Sequence, residues 1–520
     1  MSQIPFLGPT YAGRSVNFDS SRCVNFFIET GSEMSKAPAM LVGTPGTASF
    51  ASTSYGSIRG MHGFNGGIYF VVANQLRYVS STGVVSASLG AVPTLTGRVD
   101  MADNGVQALG VGGNQLIIVD GTNGYIFNIS TSTFTQITDP SFPANPTKVT
   151  YIDGYFIVTN DTMTYHCSKL YDGLTWPALA FASVIASPDA IQTPINLHQQ
   201  LILIKSTTTE LWYDAGTDTS IGSPFVRQQG AVYDFGTPAK WSVSRGDNSI
   251  FFLATQRTSN GYSFVGVAEL SGYQPQIIST PSVTYFISQS TTLDNCFGYC
   301  YAEEGSTFYV VTNPDDNWTL VYNATTKLWH EWSTYSGNPY QVNRHFGNAY
   351  ASINGKHYIG SYIDPTIYHL SNNYYTDDGL PIVSFRTAPH LNDKNVLENI
   401  FITKLIIDAE TGVGDTSYTV ENDPTAYYGD GTWFGDGTIN GGGIINTTTY
   451  GSDPHATLSW SNDYGHTWSS EYPASLGRIG EYKRRLIWRR VGYGKDKVFR
   501  LTVGAPVKKI LMGAYVEGSA

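Results

Sequence analysis

A strand–turn–strand unit recurs between residues 66 and 370 and constrains the fold more than any other feature. Each copy has a Gly or Asn turn, an apolar run, a polar turn and a second strand that ends near Tyr or Trp. The copies are GGIYFVVANQLRYVS at 66–80, NQLIIVDGTNGYIFNI at 114–129, GYFIVTNDTMTYHCSKLYDGLTW at 154–176, QQLILIKSTTTELWYDAG at 199–216, SIFFLATQRTSNGYSFVGVAEL at 249–270, STFYVVTNPDDNWTLVYNATTKLWHEW at 306–332 and KHYIGSYIDPTIYHL at 356–370. Their starts are roughly 40–60 residues apart, a period typical of β-propeller blades. The seven copies predict seven blades, or six if one copy is an embellishment.

The first strand of each copy is a continuous apolar run, as in IYFVV, LIIV and LILI. Such runs suit strands buried on both faces, so we expect them to be the inner strands between neighbouring blades. Val71 and Ile117 lie in two of these runs and are predicted to be buried. Ordinary sandwich hairpins are the alternative interpretation of the same units.

The blade pattern stops after about residue 375. Five strand patterns follow, in ENIFITKLIIDAETGVGD, ATLSWSNDYGHTW, KRRLIWRRVGYG, DKVFRLTVGAPV and KKILMGAYVEG, and they indicate a β-sandwich. The predicted architecture is all-β, with an N-terminal arm over 1–50 that packs on the body, a β-propeller over 51–375 and a C-terminal β-sandwich over 376–520. A Gly-rich, Tyr-bearing loop at 427–443 is too long for a simple hairpin and is expected to reach a neighbour.

Composition and charge narrow the class of protein. Of 520 residues, 14% are charged and 13% aromatic, which argues against disorder, and the net charge of −11 argues against general binding to nucleic-acid backbones. No signal peptide or transmembrane segment is predicted. Four cysteines do not make a disulfide scaffold, and Cys296 and Cys300 are expected to be buried thiols rather than a metal pair, in a protein kept in a reducing cytoplasm.

The stretch SNDYGHTW at 461–468 matches the Asp-box pattern S-x-D-x-G-x-T-W, a turn best known from sialidases and related glycan-handling propellers. In such a turn Asp463 accepts backbone N–H groups, Gly465 supplies a positive φ, and Trp468 packs beneath. Together with Ser461 these residues are predicted to form a structural turn that touches no substrate. A second stretch, YDGLTW at 171–176, matches the Asp-box pattern only in part.

Enzymatic alternatives have weaker support. A sialidase would need clustered arginines and a Tyr–Glu pair, but the arginines before the final domain are isolated: Arg14, Arg22, Arg59, Arg77, Arg98, Arg227, Arg245, Arg257 and Arg344. A glycosidase needs two carboxylates flanking the bond, for which the candidates are Glu303, Glu304, Asp315 and Asp316. No metal-ligand spacing or phosphate loop is present. We therefore predict no enzyme activity and no catalytic, cofactor-binding or metal-binding residues.

One strongly basic segment covers residues 477–509, where eleven Lys or Arg stand against Glu481 and Asp496. Its net charge of +9 leaves −20 on the rest of the chain. The simplest interpretation is that the basic segment forms a solvent-exposed outer face of the domain. However, arginine is favoured at interfaces, and the four arginines around Trp488 are dense for a surface strand.

Strand alternation assigns the two faces of this basic strand. Leu486 and Trp488 should face the core, beside Phe499 and Leu501, while Arg485 and Arg489 should face outward. With Arg490, these two arginines are the candidate subunit interface.

Both ends of the chain resemble a known family. RSVNFDSSRCVNFFIE and LVGTPGT near the N-terminus, and LIIDAETGVG, SWSNDYGHTW, RRLIWRRVG, VFRLTV and LMGAYVEG near the C-terminus, are similar to the phage stabilisation proteins. These are the packaged-DNA stabilisation, or tail-hub, proteins of short-tailed bacteriophages. The match covers about a third of the chain and is weak in the propeller, where blades look alike.

The resemblance implies a structural protein of the virion tail, made in the host cytoplasm and without a membrane anchor. Its expected partners are the portal-adaptor ring on one side and the tail needle, fibres or spikes on the other. A homo-oligomeric ring of six copies would help to retain packaged DNA, which passes through the lumen without specific binding. A receptor- or glycan-binding tail propeller is the alternative, followed by a glycosidase.

Overall fold

The computed structural model describes residues 2–519 except 12, 108–111, 258–262, 273, 338–339, 393–397 and 415–452. The Gly-rich loop at 427–443 lies outside these residues. Within them the chain forms 43 β-strands and one α-helix, so the predicted all-β class is confirmed. The helix, α1 (Pro281–Ser288), has eight residues, and no helix in the described part of the chain is long and apolar enough to span a membrane.

The chain divides into two compact units. The larger comprises Pro9–Phe27 and Thr44–Ile382, and the smaller comprises Met1–Gly8, Ile28–Gly43 and Val383–Ala520. Residues 1–50, expected to form one arm, are therefore shared between the units. They contain β1 (Ser2–Ile4), β2 (Arg22–Val24), β3 (Phe26–Thr30), β4 (Ala39–Gly43) and the start of β5 (Gly46–Ser52).

Seven sheets, each with at least four strands, build the larger unit, and each repeat copy falls in one of them. The prediction of a propeller with seven blades is confirmed. Blades 1 to 3 contain β6 (Ile58–Phe64), β7 (Gly67–Val72), β8 (Gln75–Ser80), β9 (Gly90–Ala91), β10 (Asp100–Asp103), β11 (Gln115–Val119), β12 (Gly124–Asn128), β13 (Thr133–Gln136), β14 (Lys148–Ile152), β15 (Tyr155–Thr159), β16 (Thr164–Cys167) and β17 (Phe181–Ser183).

Blades 4 to 7 continue the pattern, with α1 between blades 5 and 6. Their strands are β18 (Ile191–Leu197), β19 (Gln200–Lys205), β20 (Thr209–Asp214), β21 (Phe225–Tyr233), β22 (Phe235–Gly236), β23 (Ser244–Gly246), β24 (Ser249–Arg257), β25 (Ser263–Ser271), β26 (Gln274–Ile277), β27 (Phe297–Glu303), β28 (Ser306–Asn313), β29 (Trp318–Asn323), β30 (Leu328–Glu331), β31 (Gly347–Ile353), β32 (Lys356–Ser361) and β33 (Thr366–Ser371). The fourth strand of blade 7 is β5, from the other end of the propeller sequence, and β31 packs against β6. The ring of blades is thereby closed.

The apolar runs are buried as predicted, but their position in the blade is a correction. Val71 and Ile117 have 0% exposure, yet their strands β7 and β11 are the second strands of their blades. The innermost strand is β6 in blade 1, and it is less apolar because neighbouring blades converge there. A Cβ on Gly60 would lie 2.3 Å from the Val99 carbonyl oxygen, and one on Gly63 would lie 2.2 Å from that of Ser352.

A buried clasp fixes the N-terminal segment of the larger unit to blade 6, where β2 runs parallel to β30. Arg22 forms an ion pair with Glu331, and the Thr10 hydroxyl donates to Glu331 Oε1 at 2.6 Å. Asn25 adds two bonds to the Ser333 backbone, at 2.9 and 2.8 Å. The clasp covers the open edge that blade 6 would otherwise present.

Replacing Glu331 with Ala is expected to release this segment. The substitution leaves the Thr10 hydroxyl and the half-exposed Arg22 guanidinium without the carboxylate that they bind. The free energy of unfolding should fall by an amount on the order of 2 kcal/mol. Limited proteolysis should then cut within residues 9–27 before the blades. Glu331→Gln, which keeps an acceptor oxygen, should release the segment less, and equal protease resistance of all three proteins would contradict the clasp.

The smaller unit is a sandwich of two sheets. Two short strands of the larger unit, β34 (Thr376–Asp377) and β35 (Leu380–Pro381), extend the blade 7 sheet beyond β5. The strands of the smaller unit that follow are β36 (Ser384–Thr387), β37 (Leu391–Asn392), β38 (Ile400–Ala409), β39 (His455–Ser461), β40 (Tyr472–Ser475), β41 (Leu486–Gly494), β42 (Asp496–Val503) and β43 (Ile510–Ser519). One sheet has the order β3-β4-β43-β38-β41 with β1 on β43, and the other has β36-β42-β39-β40 with β37 on β42. All five predicted strand patterns form strands, and the N-terminal strands of the first sheet are an addition that the sequence did not indicate.

Candidate functional site

The Asp-box stretch forms a closed polar turn between β39 and β40. The Asp463 carboxylate accepts the Thr467 backbone N–H at 2.8 Å and the Thr467 hydroxyl at 2.6 Å. The Ser461 hydroxyl donates to Asp463 at 2.6 Å and accepts the Gly465 N–H at 2.8 Å. The carboxylate thus has partners within the turn itself, as a structural element requires.

Backbone geometry and two contacts attach this turn to β42. Gly465 has φ 94°, the left-handed region that favours glycine. Trp468 is half-buried, and the Arg500 guanidinium carbon lies 3.6 Å from its ring centroid. Asn462 Oδ1 accepts the buried Lys497 ammonium at 2.8 Å.

Replacing Asp463 with Ala or Asn is expected to lower the unfolding midpoint of the sandwich slightly and to remove no activity. Hydrogen bonds from Ser461 and Thr467 hold the pKa of the Asp463 carboxyl well below its usual range. A depressed folded-state pKa gives stability that is full above the unfolded pKa of about 3.9 and is lost as pH falls towards the folded value. The difference in urea midpoint between the wild type and Asp463→Asn should therefore be smaller at pH 3 than at pH 7. Sugar turnover in the wild type that disappears in either variant would contradict a structural role.

The degenerate trace at 171–176 repeats the arrangement in blade 3. Asp172 accepts the Leu174 N–H at 3.0 Å and the Thr175 hydroxyl at 2.7 Å. Trp176 is buried, and its indole N–H donates to the Gly173 carbonyl at 2.9 Å. The same polar corner therefore closes turns in both units.

The candidate glycosidase carboxylates do not form a pair. Glu303 and Glu304 lie at the turn before β28, whereas Asp315 and Asp316 lie at the turn after it. Eight residues of strand separate the turns, about 25 Å. Carboxylates that flank a glycosidic bond are about 5–10 Å apart. These four acids therefore do not assemble the required site.

All four cysteines are buried free thiols. Burial raises the pKa of the Cys300 thiol to about 12, so it is held protonated at neutral pH. Across the described residues, no group of three or more His, Cys, Asp or Glu side chains is placed to hold a metal ion.

The basic strand β41 has the two faces that alternation predicts. Leu486 and Trp488 are buried, and the Trp488 indole N–H donates to the Tyr472 carbonyl at 2.7 Å. Arg485 and Arg489 are exposed, and Phe499 and Leu501 of the opposite sheet are buried. Among the described residues, neither of these arginines has a carboxylate within ion-pair distance.

A bulge in β41 exposes a third arginine. Lys404 of β38 pairs with Arg489, but the next pair recorded is Ile402 with Gly492, so β41 carries an extra residue there. Arg490 has φ 58° and is exposed, next to exposed Arg489. Lys404 and Arg489 stand opposite each other, and Lys404 is compensated by an ion pair with Glu517 Oε2 at 3.3 Å.

Five other cations of the basic segment have partners within the sandwich. Their partners are Glu481 for Arg484, Asn462 for Lys497, the Trp468 ring for Arg500, Glu410 for Lys508 and Ser384 for Lys509. The net charge of +9 is thus divided between internal contacts and an outward group. The outward group consists of exposed Arg478, Lys483 and Lys495 together with Arg485, Arg489 and Arg490, and these last three are called the arginine ridge below.

Sequence reasoning missed the exposed apolar side chains of blades 3 and 4. They are Met163, Leu170, Tyr171, Leu174, Leu179, Phe181, Ile185, Tyr213, Ile221, Val226 and Val232. The available signal was that several of these residues lie between repeat copies, where connections are usually polar.

Comparison with protein families gives two matches. A family model described as Bacteriophage P22 Gp10, beta-propeller, matches residues 2–375, and one described as Bacteriophage P22 Gp10, beta-sandwich, matches residues 435–519. None of the curated proteins matches the chain.

Similar solved structures are remote. The Neurospora crassa Pan2 WD40 domain is 8% identical with a TM-score of 0.39, covering 63% of this chain and 96% of that chain. The N-terminal domain of Nup159 is 8% identical with a TM-score of 0.37, covering 66% and 98%. BamB from Moraxella catarrhalis is 9% identical with a TM-score of 0.35, covering 66% and 98%. Likeness at this level carries no argument about fold or function.

Proposed function

Because the chain belongs to the bacteriophage P22 Gp10 family of structural tail proteins, as its terminal residues predicted, we propose that it is the hub of the tail. In this role it joins the portal-adaptor ring to the distal tail parts, the needle, fibres or spikes, and helps to retain packaged DNA. In this proposal its role is non-catalytic, and it is located in the virion.

The arginine ridge carries this proposal. Three exposed guanidinium groups that have no carboxylate partner in the described part of the chain are suited to an acidic protein surface rather than to solvent alone. The rest of the chain has a net charge of −20, so another copy supplies such a surface. Contact between unlike patches on identical chains is head-to-tail, and it makes a ring where the rotation closes. The proposed number of copies, six, is what the family resemblance implies.

Two further features support a structural role. The propeller is closed by β5, so blade 7 cannot separate from its neighbours without breaking a sheet. The acidic body also suits a DNA conduit, since it repels phosphates and lets the duplex pass.

The proposal is tested by locating and counting the protein in virions. A C-terminal tag labelled with gold should appear at the tail, between the portal vertex and the distal fibres, in negative-stain images. Quantitative mass spectrometry of isolated tails should give six copies per portal ring. Label at fibre tips would instead support the receptor-binding alternative, and a copy number unrelated to a single ring would contradict the hub.

A further inference from the structure

Strand β41 is the last strand of its sheet, and its outer edge pairs with no strand among the described residues. The order of the sheet is β3-β4-β43-β38-β41, so β41 has a neighbour on the side of β38. An edge strand presents unpaired backbone N–H and C=O groups, which can bind a segment of another chain. The arginine ridge lies along this edge, because Arg485 immediately precedes β41 and Arg489 and Arg490 belong to it.

Exposed aromatic side chains accompany the ridge. Phe401 of β38 and Tyr493 of β41 are opposite each other in the strand register, and they are 46% and 67% exposed. Tyr482, just before the strand, is 72% exposed. Arginine and aromatic residues are enriched at protein–protein interfaces, whereas Lys, Glu and Ser are depleted there. This side of the sandwich therefore combines an open backbone edge, positive charge and aromatic surface.

The chain contains a segment of complementary composition. Residues 415–452, here called the acidic segment, lie outside the described residues. Their sequence has no Lys, Arg or His and has five acids, which are Asp415, Glu421, Asp423, Asp430 and Asp436. It also has six aromatic residues, which are Tyr418, Tyr427, Tyr428, Trp433, Phe434 and Tyr450. Charge and aromatic content both match the arginine ridge and its aromatic neighbours.

Both ends of the acidic segment are held next to the start of β41. Before the segment, the Thr411 hydroxyl donates to the Arg484 carbonyl at 3.4 Å, and the Gly412 N–H donates to the Leu476 carbonyl at 2.9 Å. After the segment, the Leu476 N–H donates to the Pro454 carbonyl at 2.7 Å. The acidic segment therefore leaves the sandwich and returns to it at one place.

The middle of the acidic segment can reach well beyond this place. Residues 427–436 contain two of the acids and four of the aromatic residues, and they are more than ten residues from either end. An extended chain of that length spans up to about 40 Å. The ridge of the same chain begins directly beside the attachment, at Arg485, where the first residues of the segment would meet it rather than its middle. The sequence therefore favours the ridge of another copy as the binding partner of residues 427–436.

We propose that the acidic segment of one copy binds the arginine ridge and the open β41 edge of the next copy. Its carboxylates pair with the guanidinium groups through charge-assisted hydrogen bonds, and its backbone pairs with the edge of the sheet. In a head-to-tail ring each copy offers one ridge and one acidic segment, and all of them are occupied when the ring closes. The inference rests on the proposed ring and identifies the acidic surface that meets the ridge.

The test is cross-linking between two full-length chains, one with Tyr493→Cys and one with Thr432→Cys, which keep every acid and arginine of the contact. The native cysteines are buried, so the introduced thiols are the accessible ones. The chains are co-expressed during infection, and purified particles are treated with a short bis-maleimide. A covalent heterodimer is expected. Arg245→Cys on β23, used in place of Tyr493→Cys, should not give it. Cross-linking that occurs only within a chain carrying both substitutions overturns the assignment to a second copy.

A second readout exchanges the charges of the two surfaces. Asp430→Lys with Asp436→Lys should block incorporation into particles, as Arg485→Glu with Arg489→Glu does, and the four changes together should restore it. Normal incorporation of the Asp430 and Asp436 variant overturns the proposal.

The outcomes for this contact and for the tail hub are separable. Gold label at the tail and six copies, without the heterodimer, would overturn the contact and leave the hub standing. The heterodimer in particles whose label lies at the fibre tips would overturn the hub and support the contact.

Discussion

Replacing Ile117 with Asp is expected to leave the propeller unfolded, and Val71→Asp is expected to do the same. Ile117 has no exposed surface and belongs to one buried cluster with Phe156 and Val158 of blade 3. An uncompensated buried carboxylate costs several kcal/mol, against about 5–15 kcal/mol for the stability of a typical domain. Circular dichroism and urea unfolding of the purified chain would report the loss.

Two controls separate this effect from mutation in general. Thr135→Asp places the same charge on an exposed residue of the outer strand of the same blade and should change stability by about 0.5 kcal/mol or less. Ile117→Val, which keeps the position apolar, should cost about 0.5–1.5 kcal/mol. Cooperative unfolding of Ile117→Asp near the wild-type midpoint would show that β11 is not enclosed between blades.

The double change Arg485→Glu and Arg489→Glu is expected to block incorporation of the chain into the tail and to produce heads that lose their DNA. Both side chains are exposed and lack carboxylate partners in the described structure, so the isolated chain should keep its unfolding midpoint. Reversing their charge converts attraction to an acidic neighbour into repulsion. Immunoblotting of purified particles and nuclease protection of the genome measure the two outcomes.

A matched control is the double change Lys483→Glu and Lys495→Glu. These residues are exposed in the same basic segment and give the same change in net charge without touching the arginine ridge. The control double variant should therefore be incorporated into the tail like the wild type. Normal particles from the Arg485 and Arg489 variant would make the ridge a solvated face, and equal failure of both variants would make net charge the cause.

Much of the fold was predictable because each repeat has a recognisable short-range pattern of apolar runs and turns. Seven apolar runs became seven strands buried between blades, and five C-terminal patterns became strands of the sandwich. The Asp-box turn was equally accessible, since the partners of Asp463 lie within four residues of it. Alternation alone assigned Trp488 to the buried face and Arg489 to the exposed face of β41.

The errors and omissions concern relations between distant residues. The apolar runs predict innermost strands, but crowding at Gly60 and Gly63 of β6 requires a less apolar strand at the innermost position. No periodicity shows that β5 completes blade 7, that β2 covers blade 6, or that β1, β3 and β4 join the sandwich. The exposure of Arg490 required a bulge, which depends on the pairing of two strands.

The all-β class, the repeat unit of the blades and the polar turns could be derived from local sequence, because burial on two faces and tight polar corners each produce a short-range pattern. How the ring of blades closes and which cations have partners inside the sandwich depend on the tertiary structure. Strand pairing across the chain and the approach of side chains from separate blades depend on long-range geometry. Residues that are far apart in sequence, such as Arg22 and Glu331, carry no local pattern that indicates their contact.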